Sequence, residues 1–239
     1  WNSVWVGLVV VAIVLPLAFM FAYGLTRTHM PGRGFFRLVA AVPVLAPSLL
    51  PAIGLVYLFG KQGLLRPLLF GADIYGPLGV VLASVFFTLP HAVLILLIAL
   101  SSADQRLYEA AEVLGARKRR TFWTVTLPGA RYGLISAGFV VFTLVLTDFG
   151  VPKVIGGSFD MLALDIYKQV IGQQNFQIGA VVSIVLLLPA LLAFFVDRYV
   201  SRRQAALLTA KAVPLAIKKD KARDAFAFCV CTLVSLFVL

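Results

Sequence analysis

Apolar residues in this chain fall into runs separated by short polar stretches, each run close to the roughly 20 residues that a helix needs to cross the hydrocarbon core of a bilayer. Five complete runs are legible, at residues 4–25, 38–59, 76–100, 133–151 and 178–196, and a sixth begins near Ala225 and is unfinished at Leu239. Runs of that length predict helices. The fold class expected is therefore all-α, a polytopic transmembrane helical bundle.

Proline and glycine crowd the second run, where Pro43, Pro47, Pro51 and Gly54 follow one another at about one helical turn. Each proline removes a backbone donor and bends a helix. In a membrane such breaks survive where protein or a water-filled path satisfies the freed carbonyls. Two readings stay open: a kinked packing helix, or a helix lining a translocation path, with Pro47 and Pro51 on it.

Composition agrees with a membrane chain. Hydrophobic residues make up 61% of the sequence and charged residues 13%, about half the charged fraction of soluble domains. The net charge of +11 raises nucleic acid as a partner, but that needs the cations gathered on one soluble face. Here they sit between the apolar runs. The first and third loops and the tail after the fifth run carry seventeen Lys and Arg, whereas the second and fourth loops carry only Lys61, Arg66, Lys153 and Lys168. Positive loops stay in the cytoplasm, so the odd loops are assigned inside and the N-terminal residue outside.

Trp1 opens without a methionine and the last run is incomplete. The expectation is a fragment with one preceding span missing. A signal peptide would need a basic segment before the first run and a small-residue cleavage site after it. Residues 1–200 are read as a first membrane bundle, 201–224 as a basic cytoplasmic linker broken by Pro214, and 225–239 as the start of a second, truncated bundle. The alternative is a single bundle with one more helix at its end.

The third loop is too patterned for a connector. Asp104 is placed to cap a helix, Leu107, Ala110, Ala111 and Leu114 share one helical face, and Gly115 ends it. A second short helix, 118–125, is expected to stop before Pro128. This rigid, charged, helix–turn–helix projection suits a membrane subunit that must push against a soluble motor. Glu109 and the cluster Arg117, Lys118, Arg119 and Arg120 are available to pair with a partner's charges.

Glu109-Ala110-Ala111, then Gly115, then Val125-Thr126-Leu127-Pro128 resembles the cytoplasmic signature of ABC-importer permeases. Tyr132 precedes Gly133 where that family commonly has proline. The resemblance implies the type I ABC-importer permease fold, with a coupling helix seated on a separate ATPase. Glu109, Ala110, Ala111, Gly115, Leu127 and Pro128 are then the coupling residues. It further implies a multi-pass protein of the bacterial inner membrane, partnered by a pair of ABC ATPase subunits, a periplasmic substrate-binding protein and a second permease bundle in the same full-length chain. ATP and Mg would be held by the ATPase, with no cofactor on this chain.

A narrower resemblance lies in Asp148-Phe149-Gly150-Val151-Pro152, Gly156-Gly157 and Ala163–Gln169. These look like fused permeases for ferric iron and 2-aminoethylphosphonate, and the run from Tyr167 to Phe176 is closer to the latter.

Three polar features leave alternatives open. Asp148, near the outer end of the fourth run, is either a functional acid at membrane depth, in a path or outer gate, or a cap for the Gly150-Val151-Pro152 turn, with Lys153 as its expected partner. His91 follows Pro90 and is read as a structural histidine bonded to a carbonyl freed by that proline. The segment 159–171 is either an outer interfacial helix that meets a binding protein or a packing helix. Cys229 and Cys231 have no His or further Cys beside them and are read as ordinary helix residues.

No phosphate-cradling Gly-x-x-x-x-Gly-Lys-Ser/Thr loop occurs, so ATP hydrolysis is assigned to another subunit and the chain to transport rather than catalysis. An ion-coupled secondary transporter is the rival, and it calls for several ionisable groups in mid-span. Asp148 is the one acid within the five runs.

Overall fold

The computed structural model describes residues 1–207 and 220–238, and among these every regular element is helical. Pro214 and the rest of 208–219 lie outside the described residues. The first run forms α1, Asn2–Arg27, which passes through Pro16 without stopping. Val6, Val10, Val14, Ala18, Phe21 and Leu25 recur on one face and are almost fully buried.

That face packs against α4, Pro77–Ser101, and α7, Leu127–Thr147. Apolar burial drives little of this in lipid, so close approach of backbones matters more. A Cβ added at Gly133 of α7 would run into the Cβ of Ala99 on α4. The long α10, Phe176–Leu207, leans on α7, leaving Ile184, Leu188, Leu192 and Phe195 exposed on its flank. Ser136 on α7 donates a hydrogen bond to Asp197 on α10.

Four helices are long and apolar enough to cross a membrane: Asn2–Arg27, Pro77–Ser101, Lys118–Thr147 and Phe176–Tyr199. A bent pair adds a fifth if counted as one span. The five runs are therefore accounted for, with three corrections to their shape.

The second run is not one kinked helix. It forms α2, Arg33–Ala41, a 3-10 turn Val42–Leu45, and then α3, Leu49–Phe59, with the two parts at 100°. Ala46 is extended (φ −80, ψ 135) because a residue before proline is pushed out of the helical region. Pro47 therefore sets the corner.

The second correction concerns Pro128, which does not stop a helix. α6, Lys118–Thr121, passes through a π turn, Phe122–Thr126, directly into α7. Leu127 N–H reaches back to Phe122 O, five residues earlier. The π turn widens the backbone just before Pro128, so the helix passes the proline ring without stopping.

In the third, the fourth run ends early, at Thr147. Asp148 is extended, and a new short helix, α8, Gly150–Ile155, follows.

Beyond α8, α9, Leu162–Tyr167, leads into a second π turn, Lys168–Gly172. Met161, Ala163 and Leu164 are buried, while Tyr167 and Ile171 remain exposed, so the segment packs on the bundle along one side. Ser3 Oγ accepts from Leu162 N–H at 2.8 Å and ties it to the start of α1. The last element, α11, Lys221–Val238, begins four residues before the expected start and packs on α1 and α2. Buried Cys231 meets Gly24 there. His91 Nδ1 lies 3.0 Å from Phe87 O, four residues earlier on the same helix, rather than from Phe86 O, the carbonyl four residues before Pro90.

Candidate coupling site

The hairpin between α4 and α7 is built by local chemistry at both ends. α5, Gln105–Val113, begins at Asp104, whose Oδ1 accepts from Arg106 N–H at 3.0 Å. It ends in paired bonds from Ala116 N–H to Ala111 O and from Gly115 N–H to Glu112 O, both 2.9 Å. That pairing requires a left-handed residue, and Gly115 supplies it at φ +69. No atom comes within 4 Å of a Cβ placed there, so the glycine answers to backbone shape alone.

The expected apolar face of α5 exists but points outward. Ala111 is its one buried residue among the four, whereas Leu107, Ala110 and Leu114 are exposed, as is Val113. Leu114 is 83% exposed and Val113 87%. Glu109 is exposed too and accepts from Gln105 Nε2 at 2.5 Å on the same helix.

Arg117, Lys118, Arg119 and Arg120 are all exposed. Lys118 Nζ is 2.5 Å from Asp220 Oδ2, joining α6 to the start of α11. The Lys118 hydrogen bond, with a second from Arg223 N–H, holds the Asp220 carboxyl below the usual carboxylate range. Leu127 is half-buried and Pro128 exposed in the first turn of α7. The six signature residues thus lie along one hairpin and the helix entry behind it.

Asp148, Pro47 and Pro51 are gathered at the far end of α7, where two broken spans meet. Asp148 accepts from Gly150 N–H at 3.2 Å and Val151 N–H at 3.0 Å, and from Ser48 Oγ at 2.6 Å. It caps α8 and clamps it to the α3 entry. Lys153, its expected partner, instead lies over the Tyr167 ring at 4.6 Å. Pro47 is exposed at the corner and Pro51 half-buried in the first turn of α3.

Arg27 was missed as anything but a loop charge. It is the last residue of α1 and only 5% exposed, with Tyr108 and Thr126 stationed beside it. The signal was a cation at the end of an apolar run, where a helix C-terminus favours positive charge. Asp197 was missed for the opposite reason, because it falls one residue beyond the fifth run. Among the described residues no cluster of three or more His, Cys, Asp or Glu lies together to hold a metal.

Residues 5–206 match the family described as the binding-protein-dependent transport system inner membrane component. Over 196 residues the chain is 29% identical to the putative ferric transport system permease protein FbpB 1 of Haemophilus influenzae, covering 78% of this chain and 31% of that protein. It is 28% identical over 204 residues to the spermidine/putrescine transport system permease protein PotB of the same organism, covering 81% of this chain and 71% of that one. It thus spans under a third of the ferric relative and most of the polyamine one. A solved bacterial ABC transporter involved in the import of the acidic polysaccharide alginate shares the fold, with TM-score 0.60 at 14% identity over 84% of this chain and 78% of that one. The helical architecture is that of type I ABC-importer permeases, and the chain belongs to the binding-protein-dependent transport system inner membrane component family.

Proposed function

We propose that this chain is the membrane-embedded permease part of an ATP-driven importer in a bacterial inner membrane. α5 docks on a separate ATPase that carries ATP and Mg, and a substrate-loaded binding protein delivers cargo at the outer end. The observation that carries the reading is the exposed apolar face of α5, Leu107, Ala110 and Leu114, on a helix fixed by a cap at each end. A helix held in that way transmits a push, where a loose loop would absorb it. Glu109, Ala110, Ala111 and Gly115 form the contact, and Leu127 and Pro128 carry the displacement into α7. ATP binding closes the ATPase pair, moves the hairpin, and opens the bundle outward. Coupling of this kind requires different contacts at the hairpin in the two states.

The proposed cargo is 2-aminoethylphosphonate, on the strength of the sequence from Tyr167 to Phe176. Ferric iron is the second reading, favoured by the named ferric transport relative. The cargo enters beside the Asp148 corner with Pro47 and Pro51, and a second bundle in the same full-length chain completes the path. ATP-dependent uptake of labelled 2-aminoethylphosphonate and of ferric iron, by vesicles carrying the full-length protein with its ATPase and binding protein, tests both. Uptake of the phosphonate alone is expected. Uptake of iron alone selects the second reading, and uptake without ATP overturns the importer assignment.

A further inference from the structure

Arg27 is buried in a setting where a charged group ordinarily needs a carboxylate. Among the described residues it makes no ion pair with one. Its Nη2 donates instead to Leu100 O at 2.9 Å, at the C-terminal end of α4. Its guanidinium stands 5.2 Å from the centre of the Tyr108 ring on α5. The Tyr108 hydroxyl is in turn 3.1 Å from Thr126 Oγ1, in the π turn that leads into α7. The ends of α1 and α4 present carbonyls with partial negative charge, and these stand in for the missing anion.

One guanidinium therefore joins α1, α4 and the hairpin, and through Tyr108 it reaches the root of α7. We propose that Arg27 is a positioning residue that passes the displacement of α5, through Tyr108, to the inner ends of α1 and α4. This rests on the coupling reading given above. Arginine suits the task because its flat face stacks on a ring while its edge donates. Tyr108 is half-buried while its helix neighbours Leu107 and Glu109 face outward, so the ring is a main foothold of α5 on the bundle. A cavity of about 240 Å³ beside Arg27, Tyr108 and Thr126 leaves α5 room to shift. Arg27 Nε has no partner in this arrangement. A buried donor left unsatisfied is costly, so this arrangement of the guanidinium is held under a penalty that a shift of its neighbours would change.

The test uses the full-length protein assembled with its ATPase and binding protein in lipid nanodiscs. Spin labels are placed on Ala72→Cys, exposed in the turn before α4, and on Gln177→Cys, exposed in the first turn of α10, with Cys229→Ser removing an exposed thiol. Electron–electron distances are recorded with and without ATP and vanadate, beside the amount of nucleotide trapped per complex. The unaltered complex is expected to shift its outer distance on trapping. Arg27→Gln, Arg27→Lys and Tyr108→Leu should lose that shift while trapping the same nucleotide, and Tyr108→Phe, which keeps the ring, should retain it. A full shift in Arg27→Gln or Tyr108→Leu overturns the proposal, as does a loss of trapping in step with the shift, which is what a structural role would give. Tyr108→Leu alters an exposed helix and so decides the matter if the Arg27 variants do not assemble. A complex that traps nucleotide with no shift even when unaltered breaks the coupling reading, and this inference with it.

Discussion

The two ends of α7 meet the same local problem and solve it in opposite ways. Each has a proline near the start of a helix, Pro128 at the inner end and Pro152 beyond the outer one. At the inner end a π turn takes up the mismatch and the helix runs on as one piece from Lys118 to Thr147. At the outer end the helix stops and Asp148 starts another, with Ser48 of the other broken span bonded to the same carboxylate. The inner end is continuous and exposed, and the outer end is interrupted and clamped. The proline does not decide between these outcomes; the groups available to satisfy the neighbouring backbone do.

The largest effect that would break this contrast is expected at the clamp. Asp148→Ala strands Ser48 and two helix-start N–H groups, and should cost about 3 kcal/mol by the usual worth of a cap and a charged hydrogen bond. Asp148→Asn should recover much of that, and thermal unfolding of the full-length protein in detergent measures both. If Asp148→Ala unfolds at the unaltered temperature, the clamp is not what holds the corner. Gly150→Leu attacks the same joint from its other side, since a Cβ there meets Ser48 Oγ at 2.5 Å and Leu49 Cγ at 3.1 Å. Overpacking of that kind costs about 1–3 kcal/mol.

A smaller and more local effect is expected at Gly115. A leucine there costs about 1–2 kcal/mol in left-handed backbone, a strain the hairpin end relieves by leaving its closed turn, which should weaken ATPase docking by up to about tenfold while the bundle still inserts. Pull-down of the ATPase by the inserted variant measures it. Undiminished docking would remove the glycine from the coupling surface.

The smallest effect sharpens the inner end. Because Lys118 depresses the Asp220 carboxyl, their pairing contributes above the ordinary carboxylate value of about 3.9 and is lost as pH falls through the lowered one. The carbon-13 shift of that carboxyl should therefore titrate below the ordinary midpoint, and Lys118→Gln should return it upward. A midpoint unmoved by the substitution would dissolve the link between α6 and α11.

Most of the helical layout was legible because its determinants are local. The spans announced themselves by length, Asp104 by its place before a polar helix turn, and Gly115 by the helix it ends. The corner at Pro47 and the passage through Pro128 have local causes, an extended residue before one proline and a π turn before the other, that a run of apolar residues does not display. For Asp148 the cap over Gly150 and Val151 was one of the two readings, but the bond from Ser48 comes from 100 positions away and was hidden. The Arg27 contacts were hidden for the same reason, since Leu100 lies 73 residues away. The apolar stripe of α5 was legible too, but a stripe does not say whether its cover belongs to the same molecule; the fold adds that Leu107, Ala110 and Leu114 are exposed.

The π turn at Phe122–Thr126 holds one residue more than an α turn would need. Each residue along a helix carries a rotation of about 100°. Deleting one position there would leave the span where it is and swing the whole hairpin round its axis, turning Leu107 and Leu114 toward a different compass bearing. The direction in which the hairpin faces is thus set by a single count within the chain, adjustable without touching the packed faces of α1, α4 and α7.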